Sequence, residues 1–210
     1  MFHLARVQRI LCLGAHADDI EIGCGGTLLR LLAEAQREVH WVVFSGTSDR
    51  AEEARASAKS FLRDASKCSV ELHDFPDGHF PQHYGELKKQ MAALASGYQP
   101  DLVLTHRLED RHQDHRTLSE LTWNHFRRQA IWEYEIPKYE GDLTTPNLYV
   151  DLTESTCLKK IDLIATHFAT QRCKEWFDRE TFWSLLRLRG IESHRRSGFA
   201  EGFTARKIMV

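Results

Sequence analysis

The chain has 210 residues, of which 42% are hydrophobic and 28% charged, and its formal net charge at pH 7 is −2. These proportions are ordinary for a soluble globular protein and suffice for one well-cored domain, so we expect a single domain over residues 1–210. Because the charges nearly cancel, no overall electrostatic field favours a nucleic acid or an anionic membrane as the partner.

The opening residues and the cysteines indicate where the protein works. Residues 1–10 read MFHLARVQRI, without the apolar core of a secretory signal, and no apolar run approaches the length that spans a membrane. The five cysteines are scattered and form no C-x-x-C pair. That spacing argues against a disulfide framework and against a cysteine zinc site. We therefore expect a cytoplasmic protein with no stable membrane insertion.

Hydrophobic periodicity predicts strands that alternate with helices along the chain. The predicted strands are Val7–Gly14, Glu38–Ser45, Ser69–Phe75, Pro100–Thr105 and Asn147–Leu152. The predicted helices are Thr27–Gln36, Ala51–Arg63, Tyr84–Ser96, Arg116–Arg128, Ser155–Thr166 and Thr181–Arg189, followed by an irregular tail. Alternation of this kind favours an α/β fold, namely a Rossmann-like three-layer α/β/α sandwich with a mostly parallel sheet and right-handed crossovers.

A polar turn follows the first predicted strand. It contains His16, Asp18 and Asp19 and then three glycines, which we expect to let the backbone crowd the turn before the helix begins. In an open α/β sheet, chemistry gathers at the carboxyl ends of the strands. His16 and Asp19 could offer a nitrogen and an oxygen to one metal ion, with Asp18 beside it as a base. The alternative is that one of the two aspartates merely caps the helix.

A second His/Asp cluster, His112-Gln-Asp-His115, follows the fourth predicted strand. Taken alone it could be a solvated helix start, where Asp114 interacts favourably with the helix dipole. However, the first strand and the strand across the topological switch are neighbours in a doubly wound sheet, so both loops would open into one crevice. His16, Asp19 and His115 would then supply two nitrogens and one oxygen and leave a fourth position to water. That is the open arrangement of a catalytic zinc site, and iron or cobalt could use the same ligands.

Together these motifs resemble those of the PIG-L/LmbE-like zinc-dependent N-deacetylases. The family signatures are A-H-P-D-D and H-P-D-H, and the chain has Ala17 and Gln113 where proline is usual. Those two positions shape the loops and ligate nothing. The resemblance covers nearly the whole chain, because it continues through three further segments. These are Arg50-Ala-Glu-Glu-Ala54, Pro76-Asp-Gly78 and Gly198-Phe-Ala-Glu-Gly-Phe203.

The resemblance implies a role for each residue of the two motifs. Asp18 matches the general base that takes a proton from the attacking water. His112 matches the histidine that steadies the oxyanion or protonates the leaving amine, and Asp114 would orient His112. The residues that match the zinc ligands are His16, Asp19 and His115.

The resemblance also bears on substrate contacts. Arg50 matches a substrate-contacting arginine, and we expect Arg111 to contact the substrate as well. Some relatives place a tyrosine, an oxyanion donor, two residues before the first histidine of the second motif. Here Asp110 occupies that position, so the donor must be absent or come from elsewhere.

Two further features of the second half of the chain allow more than one interpretation. The cations from Arg187 to Lys207 are best explained as a solvated surface, although Arg189 or a neighbour could instead bind a phosphate or carboxylate of the substrate. Trp132, Trp176 and Trp183 could stack on a sugar, although a core or interface role is favoured for most of them.

The sequence therefore predicts a zinc-dependent hydrolase that removes an N-acetyl or other acyl group from an amino sugar or its conjugate. Two alternatives stay open: a zinc amidase acting on an acylated amine that is not a sugar, and a catalytically silent metal-binding module of the same fold. Asp18 and His112 favour the enzyme, because a pure binder would need neither. We expect a small-molecule substrate and no nucleic-acid partner. The habits of the family are compatible with a homo-oligomer.

Overall fold

Over residues 4–46 and 48–207, which the structure describes, the computed structural model folds into a seven-stranded sheet with helices on both faces. The strands are β1 (Arg9–His16), β2 (Glu38–Ser45), β3 (Lys67–Leu72), β4 (Leu102–His106), β5 (Ala130–Tyr134), β6 (Leu148–Asp151) and β7 (Ala200–Thr204). The α-helices are α1 (Asp19–Glu34), α2 (Ser48–Phe61), α3 (Tyr84–Gly97), α4 (Gln113–His125), α5 (Glu154–His167) and α6 (Arg179–Glu192). None of the helices in these ranges is both long enough and apolar enough to cross a membrane.

The strand order is β3-β2-β1-β4-β5-β7-β6. The chain runs outward from β1 through β2 to β3 and then returns to the other side of β1 to form β4, so β1 and β4 flank the switch point. The first five strands are parallel, and β7 runs antiparallel to both of its neighbours. This arrangement confirms the predicted α/β sandwich with a mostly parallel sheet, and it sets the carboxyl ends of β1 and β4 side by side.

β1 is apolar throughout because both of its faces are covered. Ile10 and Cys12 point into the core beneath α1, α2, α5 and α6, whereas Leu11 and Leu13 point into the core beneath α3 and α4. All four side chains are fully buried. A large aliphatic side chain buried in this way contributes about 1.5–3 kcal/mol. The alternation fixes the register of β1, and therefore the position at which its last residue emerges.

The start of α1 differs from the prediction. The helix begins at Asp19 rather than Thr27, so the three glycines lie inside it and not in a turn before it. The reason is close packing. A Cβ atom at Gly25 would lie 2.6 Å from the ring of Phe61. A Cβ atom at Gly26 would lie 2.6 Å from the side chain of Leu152, the residue that follows β6. Glycine in a helix costs about 1 kcal/mol relative to alanine, and here it permits an approach that alanine would block.

Two strands, β5 and β7, were not predicted, and β7 lies in the tail expected to be irregular. Each contains a fully or almost fully buried glutamate that interrupts the apolar pattern. Glu133 of β5 accepts hydrogen bonds from Arg206, and Glu201 of β7 lies 2.6 Å from the Lys160 ammonium of α5. The partners are distant in sequence, so the strands look polar until the chain is folded.

The buried pair of Lys160 and Glu201 ties three elements together. Lys160 Nζ also donates to the carbonyl oxygen of Ile22 at 2.6 Å. The Glu201 carboxylate accepts the backbone N–H groups of Gly26 at 2.8 Å and Thr27 at 2.6 Å. These contacts hold α5 and β7 against the middle of α1, the helix whose first turn carries two of the predicted site residues.

Replacing Lys160 by methionine should lower the free energy of unfolding by about 3–5 kcal/mol, because Glu201 would remain as a buried charge without its cation. Urea unfolding followed by circular dichroism measures the change. Lys159→Met is the matched control, since Lys159 is exposed and 3.8 Å from Asp64, and it should cost about 0–1 kcal/mol. Equal losses in the two variants would show that the pair does not hold α1.

Candidate metal centre

Both His/Asp clusters lie at the carboxyl edge of the sheet, where β1 and β4 end. His16 is the last residue of β1, and Asp19 opens α1. His112 is the N-cap of α4, and His115 lies in the first turn of that helix. All four line one crevice of about 160 Å³, together with Asp18, Arg50, Asp77, Lys174 and Trp176 among others. The two motifs, about a hundred residues apart, therefore share a site.

Donor atoms of three residues, including both carboxylate oxygens of Asp19, converge in this crevice. His16 Nδ1 lies 3.2 Å from His115 Nε2 and 3.3 Å from Asp19 Oδ2, and His115 Nε2 lies 3.5 Å from Asp19 Oδ1. Ligands placed tetrahedrally at about 2.0–2.2 Å from zinc lie about 3.3–3.6 Å from one another. The separations and the two-nitrogen, one-oxygen donor set thus both fit a divalent metal.

The far nitrogens of the two histidines face carboxylates. His16 Nε2 lies 3.2 Å from Asp114 Oδ2 and 3.0 Å from Asp77 Oδ1. His115 Nδ1 lies 3.1 Å from Asp110 Oδ2. A carboxylate on the far nitrogen is the usual partner of a metal-binding histidine, because it fixes the tautomer and the direction of the ring. Each ring is therefore oriented with one nitrogen toward the shared centre.

Two of the residues that shape the centre, Asp110 and His106, were not recognised from the sequence. Asp110 is fully buried and also accepts the Lys138 ammonium at 3.1 Å. His106, the last residue of β4, lies 3.1 Å from Asp19 Oδ2. Its Nε2 atom accepts the backbone N–H of Ala15 at 3.0 Å, so that nitrogen is already engaged. The available signal was the position of His106, which ends its strand as His16 ends β1.

The charges within the cluster suit metal binding. Burial would raise the pKa of Asp19, but the neighbouring His115 and His106 outweigh burial and hold that pKa well below its usual value. Burial, together with the charge of His106, lowers the pKa of His115 to about 3. Burial would also lower the pKa of His16, but the carboxylates around it raise that pKa well above its usual value. Asp19 is thus anionic and His115 neutral at pH 7, and a metal would displace the proton of His16.

Asp18 does not cap α1. It occupies the N-cap position, but its side chain makes no capping hydrogen bond. Instead its Oδ1 atom accepts a hydrogen bond from Arg50 Nη2 at 3.1 Å. Arg50 Nη1 also lies 3.5 Å from Asp77 Oδ2. Burial raises the pKa of Asp18, and the Arg50 guanidinium opposes that rise. Arg50, expected to touch substrate, therefore also fixes this carboxylate.

Asp114 contacts His112 through its backbone, whereas its carboxylate contacts other groups. That carboxylate is used by His16 and by the backbone N–H groups of Gly78 at 2.6 Å and Phe80 at 3.0 Å. His112 is held instead by the backbone N–H of Asp114, which donates to His112 Nδ1 at 3.2 Å because His112 is the N-cap of α4. Burial and the charge of His16 lower the pKa of His112. A neutral imidazole that accepts this hydrogen bond at Nδ1 carries its proton on Nε2.

Two other arginines lie away from the crevice. The Arg111 side chain is exposed and donates to the carbonyl oxygen of Glu140, a crevice-lining residue, at 3.3 Å, and its contact with substrate stays a prediction. Arg189, considered as a partner for an anionic substrate, is buried and donates to both carboxylate oxygens of Glu135 at 2.6 and 2.7 Å. Arg189 is therefore engaged within the fold and is not free for a ligand.

The tryptophans separate into one crevice residue and two packing residues. Trp176 lines the crevice. Trp132 is buried in the core, and Trp183 packs against Phe199 with ring centroids 4.6 Å apart. Of the three, Trp176 is the one placed to meet a ligand beside the metal centre.

The chain is similar in sequence to a family model and to a relative named a deacetylase. The family model described as PIG-L: GlcNAc-PI de-N-acetylase matches residues 11–126. The uncharacterized deacetylase YaiS of Escherichia coli (strain K12) is 31% identical over an alignment of 118 residues, which covers 50% of this chain and 61% of that protein. The match thus spans less than two thirds of the relative's own length.

Solved structures with low sequence identity share the fold. GalB, the 4-carboxy-2-hydroxymuconate hydratase of Pseudomonas putida KT2440, superposes with a TM-score of 0.77 at 20% identity and covers 97% of this chain and 98% of its own. The N,N'-diacetylchitobiose deacetylase of Pyrococcus horikoshii superposes with a TM-score of 0.70 at 22% identity and covers 98% of this chain and 85% of its own. One architecture therefore supports a hydratase and a deacetylase, so the reaction must be argued from the site.

Changing Asp110 to asparagine should weaken the binding of zinc or cobalt about 10–100-fold, although no proposed ligand is removed, because the carboxylate that orients His115 is lost. Competition with a chromogenic chelator measures the affinity. Glu109→Gln is the matched control, since Glu109 is the adjacent exposed acid and pairs with Arg206 outside the crevice. Unchanged affinity in the Asp110 variant would mean that this carboxylate does not support the centre.

Proposed function

The chain belongs to the PIG-L family, whose model matches more than half of its residues, and on this premise we propose that it is a metal-dependent N-deacetylase, a hydrolase of linear amide bonds. The substrate we propose is an N-acetylated amino sugar or a conjugate of one. The metal we propose is zinc, with iron or cobalt as substitutes that the same donors would accept.

The observation that carries the proposal is the convergence of His16, Asp19 and His115 with two further proton-handling groups in the same crevice. Three protein ligands leave one coordination position open, as catalytic zinc sites require and structural sites do not. When bound, the metal would polarise the amide carbonyl and bring the pKa of water from about 15.7 to about 7. The remaining chemistry is left to Asp18 and His112.

Asp18 is the proposed general base. Its carboxylate is buried in the crevice wall, and Arg50 engages one oxygen at 3.1 Å. The second oxygen has no hydrogen-bond partner among the residues that the structure describes, and it can accept the proton of the attacking water. As the water oxygen bonds to the carbonyl carbon and the C–N bond breaks, Asp18 returns that proton to the leaving nitrogen. The second proton of the water ionises from the new carboxylic acid and is taken up by the amine, so the products are acetate and the ammonium form of the amino sugar.

His112 is the proposed oxyanion donor. With Nδ1 occupied by the backbone N–H of Asp114, its Nε2–H is the group left to donate toward the carbonyl oxygen as negative charge develops there. A lowered pKa favours this neutral role over that of a general acid. His112 thus supplies a donor in a chain that has Asp110 where some relatives place a tyrosine.

Two alternatives are distinguished by substrate and by turnover. A zinc amidase on a non-sugar amine would use the same five residues but would not need Trp176, an aromatic surface suited to the face of a sugar ring. A silent metal-binding module would not need Asp18 held by Arg50. Release of acetate from N-acetylglucosamine conjugates, with and without a chelator, separates these possibilities. Acetate release that a chelator does not affect would contradict the proposal.

Replacing Asp18 by asparagine should lower kcat by on the order of 10² or more while the protein still binds one equivalent of metal, because the base is lost and the three ligands remain. Acetate release and metal content are measured on the same sample. Asp64→Asn, an exposed carboxylate far from the crevice, is the control and should retain full activity. Full activity of the Asp18 variant would show that Asp18 is not the general base.

A further inference from the structure

Among the residues that the structure describes, one cation in the crevice wall forms no ion pair, although its charge helps to oppose the burial-driven rise in the pKa of Asp18. Three lysine or arginine side chains line the crevice, and two of them are paired: Arg50 with Asp18, and Lys138 with Asp142 at 2.6 Å. Lys174 is the third. Within residues 4–46 and 48–207, no described carboxylate lies within ion-pair distance of its ammonium group. The charge of Lys174 is therefore open to a ligand that enters the crevice.

Lys174 is also held in place. Its Nζ lies 5.5 Å from the centroid of the Trp176 ring. Trp176 in turn packs edge-to-face on Phe177, with ring centroids 5.7 Å apart, and Phe177 is buried in the core. The backbone N–H of Lys174 donates to the Gln171 carbonyl, and the Phe177 N–H donates to the Lys174 carbonyl, both at 3.0 Å. The cation therefore sits on a fixed turn beside an aromatic surface.

The position of Lys174 has an energetic consequence. The Lys174 residue is half-buried in the crevice wall. The cation–π contact between Lys174 and Trp176 contributes about 0.5–1 kcal/mol at an exposed site, but it does not neutralise the charge of the ammonium group. A phosphate or carboxylate would do so through a charge-assisted hydrogen bond. Trp176 beside it offers the apolar surface on which the ring of a sugar can rest.

Resting on the proposed function, we infer that Lys174 recognises a negatively charged group carried by the substrate, so that the preferred substrates are N-acetylated amino sugars bearing a phosphate or a carboxylate. Lys174 would set the choice of substrate, so its loss would change the ratio of kcat/KM between anionic and neutral sugars. Arg189 cannot serve this purpose, because Glu135 already holds it in the fold.

The test compares three substrates: N-acetylglucosamine 6-phosphate, N-acetylmuramic acid with its carboxylate, and neutral N-acetylglucosamine. The zinc-loaded protein should show a kcat/KM about ten-fold or more higher for at least one of the two anionic sugars, as expected for a hydrogen bond to a charged group. The two anionic arms tell phosphate from carboxylate. Lys174→Gln should abolish most of that preference, and Lys174→Arg should retain it.

Two control variants separate the local charge from the overall charge. Lys88→Gln removes one positive charge from the exposed face of α3, outside the crevice, and should leave the substrate preference unchanged. Glu140→Gln removes an exposed acid that also lines the crevice, and should keep or increase the preference for the anionic sugar. A preference that survives in Lys174→Gln, or a wild-type protein with equal kcat/KM for all three sugars, would overturn the inference and leave the deacetylase proposal standing.

Absence of turnover with every sugar would instead count against the proposed function, and binding then decides the inference. Calorimetry with glucosamine 6-phosphate and with glucosamine requires no catalysis. Tighter binding of the phosphate that is lost in Lys174→Gln supports recognition of an anion by Lys174. Equal binding of the two sugars by the wild-type protein overturns it.

Discussion

The parallel pairing of β1 with β4 is the contact on which the site depends. Cys12 lies opposite Leu104 in this pair, so the two strands end next to each other, at His16 and His106. The loops that follow must then open into one crevice, because they leave the same edge of the sheet on either side of the switch point. Residues about a hundred positions apart thereby come within 3.2 Å.

That pairing is possible because the strands are apolar and covered on both faces, whereas the edge they reach is crowded with buried charge. Asp19, Asp110 and Asp114 are each buried within the same small region. Every one of them faces a histidine, a lysine or a backbone N–H group, which offsets the cost of removing it from water. The fold thus holds three acids and several imidazoles in one place, an arrangement that a divalent ion would stabilise further.

Much of this could be predicted from the sequence because the signals are local. The central parallel strands β1, β2 and β4 are largely apolar runs, and the two His/Asp motifs follow strand ends, where α/β proteins place their chemistry. These signals gave the fold class and brought His16, Asp19 and His115 together as candidates. They needed no knowledge of which distant residues pack against one another.

The remaining features depend on contacts between distant parts of the chain. β7 was missed because Glu201 looks exposed until Lys160, 41 residues earlier, is packed against it. The glycines of α1 looked like a turn because nothing nearby in sequence reveals the ring of Phe61. Asp114 lies two residues after His112, and its carboxylate contacts His16, 98 residues away in sequence. That second contact depends on the folded sheet, which brings the two motifs together.

The shared metal centre can be tested most directly by anomalous scattering from crystals grown with zinc. A single peak about 2.0–2.2 Å from His16 Nδ1, His115 Nε2 and the Asp19 carboxylate is the predicted result. An ion bound instead by His112 with Asp77 and Asp114, or no peak in the crevice in the presence of excess zinc, would contradict it.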